Sequence, residues 1–434
     1  MDLPETAYAP TPDGGYIAYK AIGNGPIEVA HLGAAATQVE VMWEYEPCSR
    51  FWLDLASSVQ LIVHDRRGTG LSDAGAGLPD LETRASDLLA VLDHAKVERP
   101  HLFGTSDGGM VCAFFAAAHP ERAASFFWPF AAAKGTRAPD WPFSETGEWL
   151  ERFSATVIAT GWGTDAGIRE QYGAQVEGRT DGLVPWLAKM QRAFCGPATA
   201  ADFFRLWGEY DVRDVLPALR VRTRTLELEP VPYPEDVGLA EATAALIPDA
   251  EHRTITAPTS FLWDNAEDWL ASIREFIGAQ KPPAEIDRVL ATVLFTDIVG
   301  STQRVARSGD AQWKDVLAAH NERARREIER HRGRYVESTG DGLLATFDGP
   351  ARAVRCAEAI RDAVRDLGFE IRAGCHTGEI ELAGDAVRGI AVHIGARVAA
   401  LAGSSEVLVS STVKDLVAGS GLTFEDAGEH ELKG

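Results

Sequence analysis

The sequence predicts two successive domains of mixed α/β class, and three observations carry that prediction. First, 434 residues exceed one ordinary hydrophobic core. Second, residues 1–280 alternate short apolar runs with helical patterns, as a doubly wound α/β fold does. Third, the proline-containing polar stretch GAQKPPAEID (278–287) reads as a linker, and a second α/β pattern starts at Val289. We therefore assign residues 1–279 to a first domain, 280–288 to the linker and 289–434 to a second domain.

In the first domain the expected strands include IEVAHLG (27–33), VQLIVHD (59–65), PHLFG (100–104), ASFFWPF (124–130), RTRTLELE (222–229) and HRTITA (252–257). Such continuous apolar runs suit a parallel sheet covered on both faces. Residues 135–215 break the alternation, are rich in Trp and Phe, and read as a helical cap over the sheet. In the second domain, strand LATVLFTDI precedes a helix DAQWKDVLAAHNERARREIERHRG. Trp313, Val316, Leu317, His320, Ala324 and Ile328 share one face of that helix. Asp310 fits its N-cap and Gly333 its C-terminal stop. Strand RYVES, turn TGDG, strand LLATF, a helix from Pro350 to about Leu367 and strand FEIRAGCHTGEI follow.

Composition narrows the function. Apolar residues make up 45% and charged residues 24%, an ordinary globular balance. A net charge of −22 opposes nucleic acid or an anionic membrane as main partner. No apolar run reaches the roughly 18 residues that cross a bilayer, and the first residues lack a secretory pattern. Five scattered cysteines form no CxxC pair and no metal-ligand spacing, so reduced thiols and a cytoplasmic location are expected.

HLFGTSDGG (101–109) holds G-x-S-x-G, with Ser106 on a strand-to-helix turn and Gly104 and Gly108 removing side chains that would collide there. With HDRRGTGLSD (64–73), HPER and RAPDWPF, it resembles the α/β-hydrolase family over most of residues 15–279. A serine hydroxyl needs a base to take its proton and an acid to orient that base. Where the resemblance places the histidine, in the loop APTSFLWDN, Ser260 stands. His252 lies too early, and the acid loop PVPYPEDVG offers Glu235 and Asp236 off the favoured position. The segment HLGAAA (31–36) also departs from the usual oxyanion-hole form. Three readings of Ser106 stay open: a nucleophile, a structural elbow, or part of a vestigial hydrolase site that binds a small apolar ligand under the cap.

LFTDIVGSTQ (294–303) puts Asp297 at the end of a buried strand, and Gly300, Ser301 and Thr302 then open a helix whose free N–H groups can hold phosphate oxygens. STGDGLLATF (338–347) puts Asp341 in a hairpin turn. Taken alone, Asp297 also suits an N-cap and Asp-Gly simply a good turn. With RAGCHTGEIE (372–381) and GIAVHIGARVAAL (389–401), the segments resemble the class III adenylyl and guanylyl cyclase catalytic domain, an α+β ferredoxin-like fold, from residue 289 onward. The pairing with a hydrolase-like domain resembles a mycobacterial type of cyclase.

The resemblance implies a homodimeric cyclase acting on a nucleoside triphosphate with two Mg²⁺ or Mn²⁺ ions per site. It places the metals on Asp297, Ile298 and Asp341, and the transition-state groups on Arg397 and on His393, where the family usually has asparagine. Lys433 falls at a triphosphate position. Glu337 and Ala386 stand where adenylyl cyclases carry the adenine-reading lysine and aspartate. ATP is therefore favoured only narrowly, with GTP the alternative, and esterase activity of the first domain the rival reading.

Overall fold

The computed structural model describes residues 3–34, 37–75, 77–230, 236–278, 288–301, 310–339, 342–383 and 386–430, with the backbone alone at 149, 156–160, 310–312, 315, 337–339, 383 and 386. The chain divides into two compact units, Met1–Ala284 and Glu285–Gly434.

The first unit is built on a sheet of strands β1 (Ala7–Pro10), β2 (Tyr16–Ile22), β3 (Glu28–Leu32), β4 (Gln60–His64), β5 (His101–Gly104), β6 (Ser125–Pro129), β7 (Arg222–Glu229) and β8 (Glu251–Thr256). Their order is β1-β2-β4-β3-β5-β6-β7-β8. β3 to β8 run parallel, from the apolar runs expected as strands, while β1 and β2 add an antiparallel hairpin at one edge. β5 is buried along its length, and the helix Asp107–Ala118 that follows it is buried at nearly every position. An all-apolar helix of this kind belongs at the centre of an α/β domain. Helices Gly147–Thr160, Asp165–Tyr172, Leu183–Phe194 and Pro197–Glu209 lie between β6 and β7. Leu150, Trp162, Phe194, Phe203 and Phe204 give them a small core of their own.

The second unit has strands β9 (Arg288–Ile298), β10 (Arg334–Thr339), β11 (Gly342–Phe347), β12 (Ile371–Ala383), β13 (Ala386–Arg388) and β14 (Val407–Val409). The order is β10-β11-β9-β12-β13, with β14 parallel to β12. Successive residues of a strand face opposite sides. Leu294 and Ile298 of β9 accordingly pack with Ala324, Ile328, Val354 and Ile360 of helices Asp310–Arg330 and Pro350–Ala363. Val293 packs on the other side with Ala391 of helix Ile390–Leu401. Two glycines let that helix lie close on the sheet. A Cβ on Gly374 would come within 2.1 Å of the Ala399 nitrogen, and one on Gly395 within 2.4 Å of Val293.

Candidate active sites

In the first unit Ser106 follows β5 with φ 50° and ψ −123°. That left-handed backbone is costly for a residue with a Cβ, and the surroundings enforce it. A Cβ on Gly104 would meet Gly109 Cα at 2.5 Å, and one on Gly108 would meet the Leu32 carbonyl at 2.3 Å. Trp128 Nε1 donates to the Ser106 carbonyl at 3.1 Å. The D-x-R-G-x-G-x-S motif is likewise built into the frame. Asp65 accepts from the backbone N–H of Val39 and Leu71, each at 2.8 Å, and a Cβ on Gly70 would strike its carboxylate. Burial pushes the Asp65 carboxyl up to about 6. Arg67 pairs with Asp87 and Asp13.

The polar groups around the elbow are engaged with one another. The Ala34 N–H, one residue past Gly33, donates to Thr105 Oγ1 at 2.8 Å. Arg66 donates to Asp107 at 2.8 Å and to the Gly33 carbonyl, and Arg84 reaches Asp107 at 3.2 Å. Burial draws the Arg66 guanidinium down to about 10, which leaves it cationic near neutrality. Ser260 lies in the loop after β8, and both its N–H, at 2.8 Å, and its Oγ, at 2.7 Å, donate to Gln175 Oε1 from the inserted helices. His252, on β8, sits 3.0 Å from Thr225 Oγ1. Among the described residues no histidine nitrogen is hydrogen-bonded to Ser106. Glu235 lies outside them. A cavity of about 10 Å³, lined by Leu32, Gly33, Arg66, Arg84 and Asp87 among others, has room for about one water. The partners Thr105 and Gln175 were not legible in the sequence, where each is an ordinary polar residue outside the motif positions.

In the second unit Asp297 is the penultimate residue of β9. β11 starts at Gly342, and its Leu343 pairs with Thr296, so the β10–β11 turn comes to the Asp297 end of β9. Past the strand, the Val299 N–H donates to the Glu370 carbonyl at 2.9 Å. Gly300 has φ +69° with open space around its Cβ position, and Ser301 starts a helical stretch. Thr302, Asp341 and Lys433 lie outside the described residues, and Glu337 and Ala386 are described in backbone only. His393 and Arg397 stand one turn apart on helix Ile390–Leu401, the histidine exposed and the arginine half-buried. His376 of the RAGCHTGEIE segment is turned inward, 2.8 Å from Ser410 Oγ.

One residue of that segment was passed over. Arg372 of β12 pairs in register with Asp297 and donates to its Oδ2 through Nε at 2.9 Å and through Nη2. The signal was its place at the head of a motif strand, but only the antiparallel register brings it to Asp297. The Asp297 side chain is 31% exposed. A solvent-reached carboxylate beside backbone oxygens is a hard donor of the kind Mg²⁺ takes. Among the described residues there is no group of three or more His, Cys, Asp or Glu able to hold a metal. Few protein ligands, supplemented by substrate phosphates and water, is how Mg²⁺ is commonly bound, so the donor set fits such an ion.

Comparison with known proteins assigns both units. Residues 46–128 match the alpha/beta hydrolase fold model, and residues 284–434 match the adenylate and guanylate cyclase catalytic domain model. "Putative adenylate cyclase 3" of Rhizobium meliloti is 32% identical over 164 residues, which is 34% of this chain and 27% of that protein. The chain thus spans about a quarter of that relative's length. An esterase from Exiguobacterium antarcticum superposes with a TM-score of 0.54 at 19% identity, covering 63% of this chain and all of its own. A bromoperoxidase from Bacillus anthracis gives a TM-score of 0.54 at 18% identity, with 63% and 100% covered. At such identities the likeness concerns the fold alone. The chain carries an alpha/beta hydrolase domain followed by an adenylate and guanylate cyclase catalytic domain. No helix of the described residues is long and apolar enough to cross a membrane.

Proposed function

We propose that the protein converts a nucleoside triphosphate, with ATP narrowly favoured over GTP, into its 3′,5′-cyclic nucleotide and pyrophosphate at a site shared by two copies of the chain. The observation that carries this is Asp297, a half-exposed carboxylate at a strand end inside a domain of cyclase type. Asp297, Ile298 and Asp341 would hold two Mg²⁺ or Mn²⁺ ions, whose charge favours ionisation of the ribose 3′-hydroxyl and offsets charge on the departing pyrophosphate. The 3′-oxygen forms its bond to the α-phosphorus as the bond to pyrophosphate breaks, and the hydroxyl proton leaves to solvent. The N–H groups at Gly300, Ser301 and Thr302 bind phosphate oxygens. Arg397 of the second copy faces the transferring phosphoryl group, and His393 of the second copy donates one hydrogen bond. The attack is intramolecular, so much of the acceleration comes from positioning.

Helix Ile390–Leu401 supports the homodimer. It bears both groups and exposes Ile390 at 66% and Leu401 at 45%, apolar surface suited to a partner. In this reading residues 1–279 are a sensor domain with a cap over about 135–215. It binds a small apolar molecule without turning it over, in a cytoplasmic protein. The retained strain at Ser106 favours the rival reading, an active esterase, but the engaged Ala34 N–H and Ser260 oppose it. The test is product analysis after incubation with each of four nucleoside triphosphates and Mg²⁺ or Mn²⁺. Cyclic nucleotide plus pyrophosphate is expected. Fast ester hydrolysis lost in Ser106→Ala, with no cyclic product, would reverse the assignment.

A further inference from the structure

We propose that Arg372 is a positioning residue that holds the Asp297 carboxylate before a divalent cation reaches it, and so sets how tightly the cation binds. This rests on the metal reading of Asp297 given above. The pair is formed by strand geometry, not by chance proximity of long side chains. Asp297 and Arg372 face each other across β9 and β12, and a cross-strand pair lies on one side of the sheet. The guanidinium engages Oδ2 twice, with Nε at 2.9 Å. Its remaining nitrogen, Nη1, donates to the Ala400 carbonyl at 3.3 Å. That carbonyl belongs to the last turn of helix Ile390–Leu401, where an arginine also complements the helix dipole. Arg372 is thereby held from two sides, by the strand carboxylate and by the helix end that follows Arg397.

The consequence is competition. A carboxylate oxygen that accepts two charge-assisted hydrogen bonds must give them up to enter the coordination shell of a small, hard cation. The guanidinium left beside a divalent ion would then be repelled. Both effects act in one direction, so Arg372 weakens cation binding, and its departure also loosens a contact to the helix that carries His393 and Arg397. Asp297 and Arg372 are each about one-third exposed, so solvent screens the pair and the effect is moderate. Removing the charge should tighten cation binding about fivefold.

The experiment uses the full chain and Mn²⁺ alone, with free Mn²⁺ read by electron paramagnetic resonance. Arg372→Gln should bind Mn²⁺ about fivefold more tightly than the parent protein. Its melting temperature should fall without metal and recover at saturating Mn²⁺. Arg372→Lys, which keeps the charge but offers fewer donors, should bind only slightly more tightly, and it serves if the glutamine variant does not fold. Equal or weaker binding by Arg372→Gln, with normal binding by the parent, overturns the proposal and leaves the metal reading intact. Absence of Mn²⁺ binding by the parent, or Mn²⁺ binding unchanged in Asp297→Ala, overturns both.

Discussion

Ser106 and Asp297 occupy comparable places, each at the carboxyl end of a buried strand and each inside a motif, yet their surroundings differ in kind. Around Ser106 the groups that could serve catalysis are engaged internally. The Ala34 N–H is bonded to Thr105, the Ser260 hydroxyl to Gln175, and Arg66 to Asp107 and Gly33. Around Asp297 the groups stay near solvent. The carboxylate is 31% exposed, and His393 stands exposed on its helix. A motif preserves a backbone shape. Chemistry also requires that the polar groups at that shape remain available to something other than the protein.

The largest expected effects fall on the second unit. Asp297→Ala and Asp341→Ala should each lower cyclisation about a thousandfold or more while the fold persists, because loss of a ligand at a two-metal site removes several kcal/mol of transition-state stabilisation. Arg397→Ala should be similarly inactive. A mixture of Arg397→Ala and Asp297→Ala chains should regain activity, since one of the two sites in each mixed dimer has all its groups. Coupled assay of pyrophosphate release measures this. Near-normal turnover in either aspartate variant removes the metal assignment, and failure of proven mixed dimers to recover removes the shared site. Ser106→Ala, by contrast, should leave cyclisation unchanged.

Much of this contrast was legible in the sequence. The runs of β3 to β8 were visible because strands buried on both faces are continuously apolar, and Asp297 and Ser106 sit at strand ends within quoted motifs. The β1–β2 hairpin was not named, because AYAP is short, contains proline and is only partly buried. What escaped were long-range partners. Thr105 and Ala34 are 71 residues apart, Gln175 and Ser260 85, and Arg372 and Asp297 75. Sheet register and the placement of inserted helices decide those contacts, and no local pattern records them.

A second difference between the units is sensitivity to acid. His31 of the first unit is 5% exposed, lies against Trp52 and approaches the Phe103 carbonyl at 3.1 Å. Burial draws its imidazole down to about 3 from the ordinary 6.5. The unfolded chain therefore takes up the proton first, so stability falls as pH drops below about 6.5 and continues to fall toward 3. At pH 5 the loss from this residue is about 2 kcal/mol. Urea unfolding of the first unit between pH 7 and pH 5 should show that slope, and His31→Gln should flatten it. An equal slope in the variant would show that His31 does not govern it.

A smaller effect tests whether the elbow is now only a frame. Ser106 holds φ 50°, which glycine adopts without strain. Ser106→Gly should therefore stabilise the first unit by about 1 kcal/mol, a rise of roughly 2 °C in melting temperature. Loss of stability would mean that the hydroxyl makes a contact of its own.

The smallest expected effect concerns the base. Glu337 lies on β10 just past a register irregularity against β11, between Tyr335 and Glu337, and pairs with Leu344. Bulges of this kind are common beside active sites. Adenylyl cyclases of the resembled class carry a lysine at this position, donating to adenine N1, and an aspartate near Ala386. An ionised carboxylate only accepts hydrogen bonds. Guanine presents two adjacent donors, N1–H and the 2-amino group, whereas adenine presents an acceptor at N1 that a carboxylate repels. Selectivity between purines should therefore be weak, with substantial use of GTP beside ATP. Glu337→Lys exchanges acceptor for donor and should shift the ratio of kcat/KM for ATP over GTP upward about fivefold, or about 1 kcal/mol. Initial rates with both triphosphates at matched Mg²⁺ measure the ratio. A ratio that does not move would place Glu337 outside base recognition and leave purine choice to the rest of the pocket.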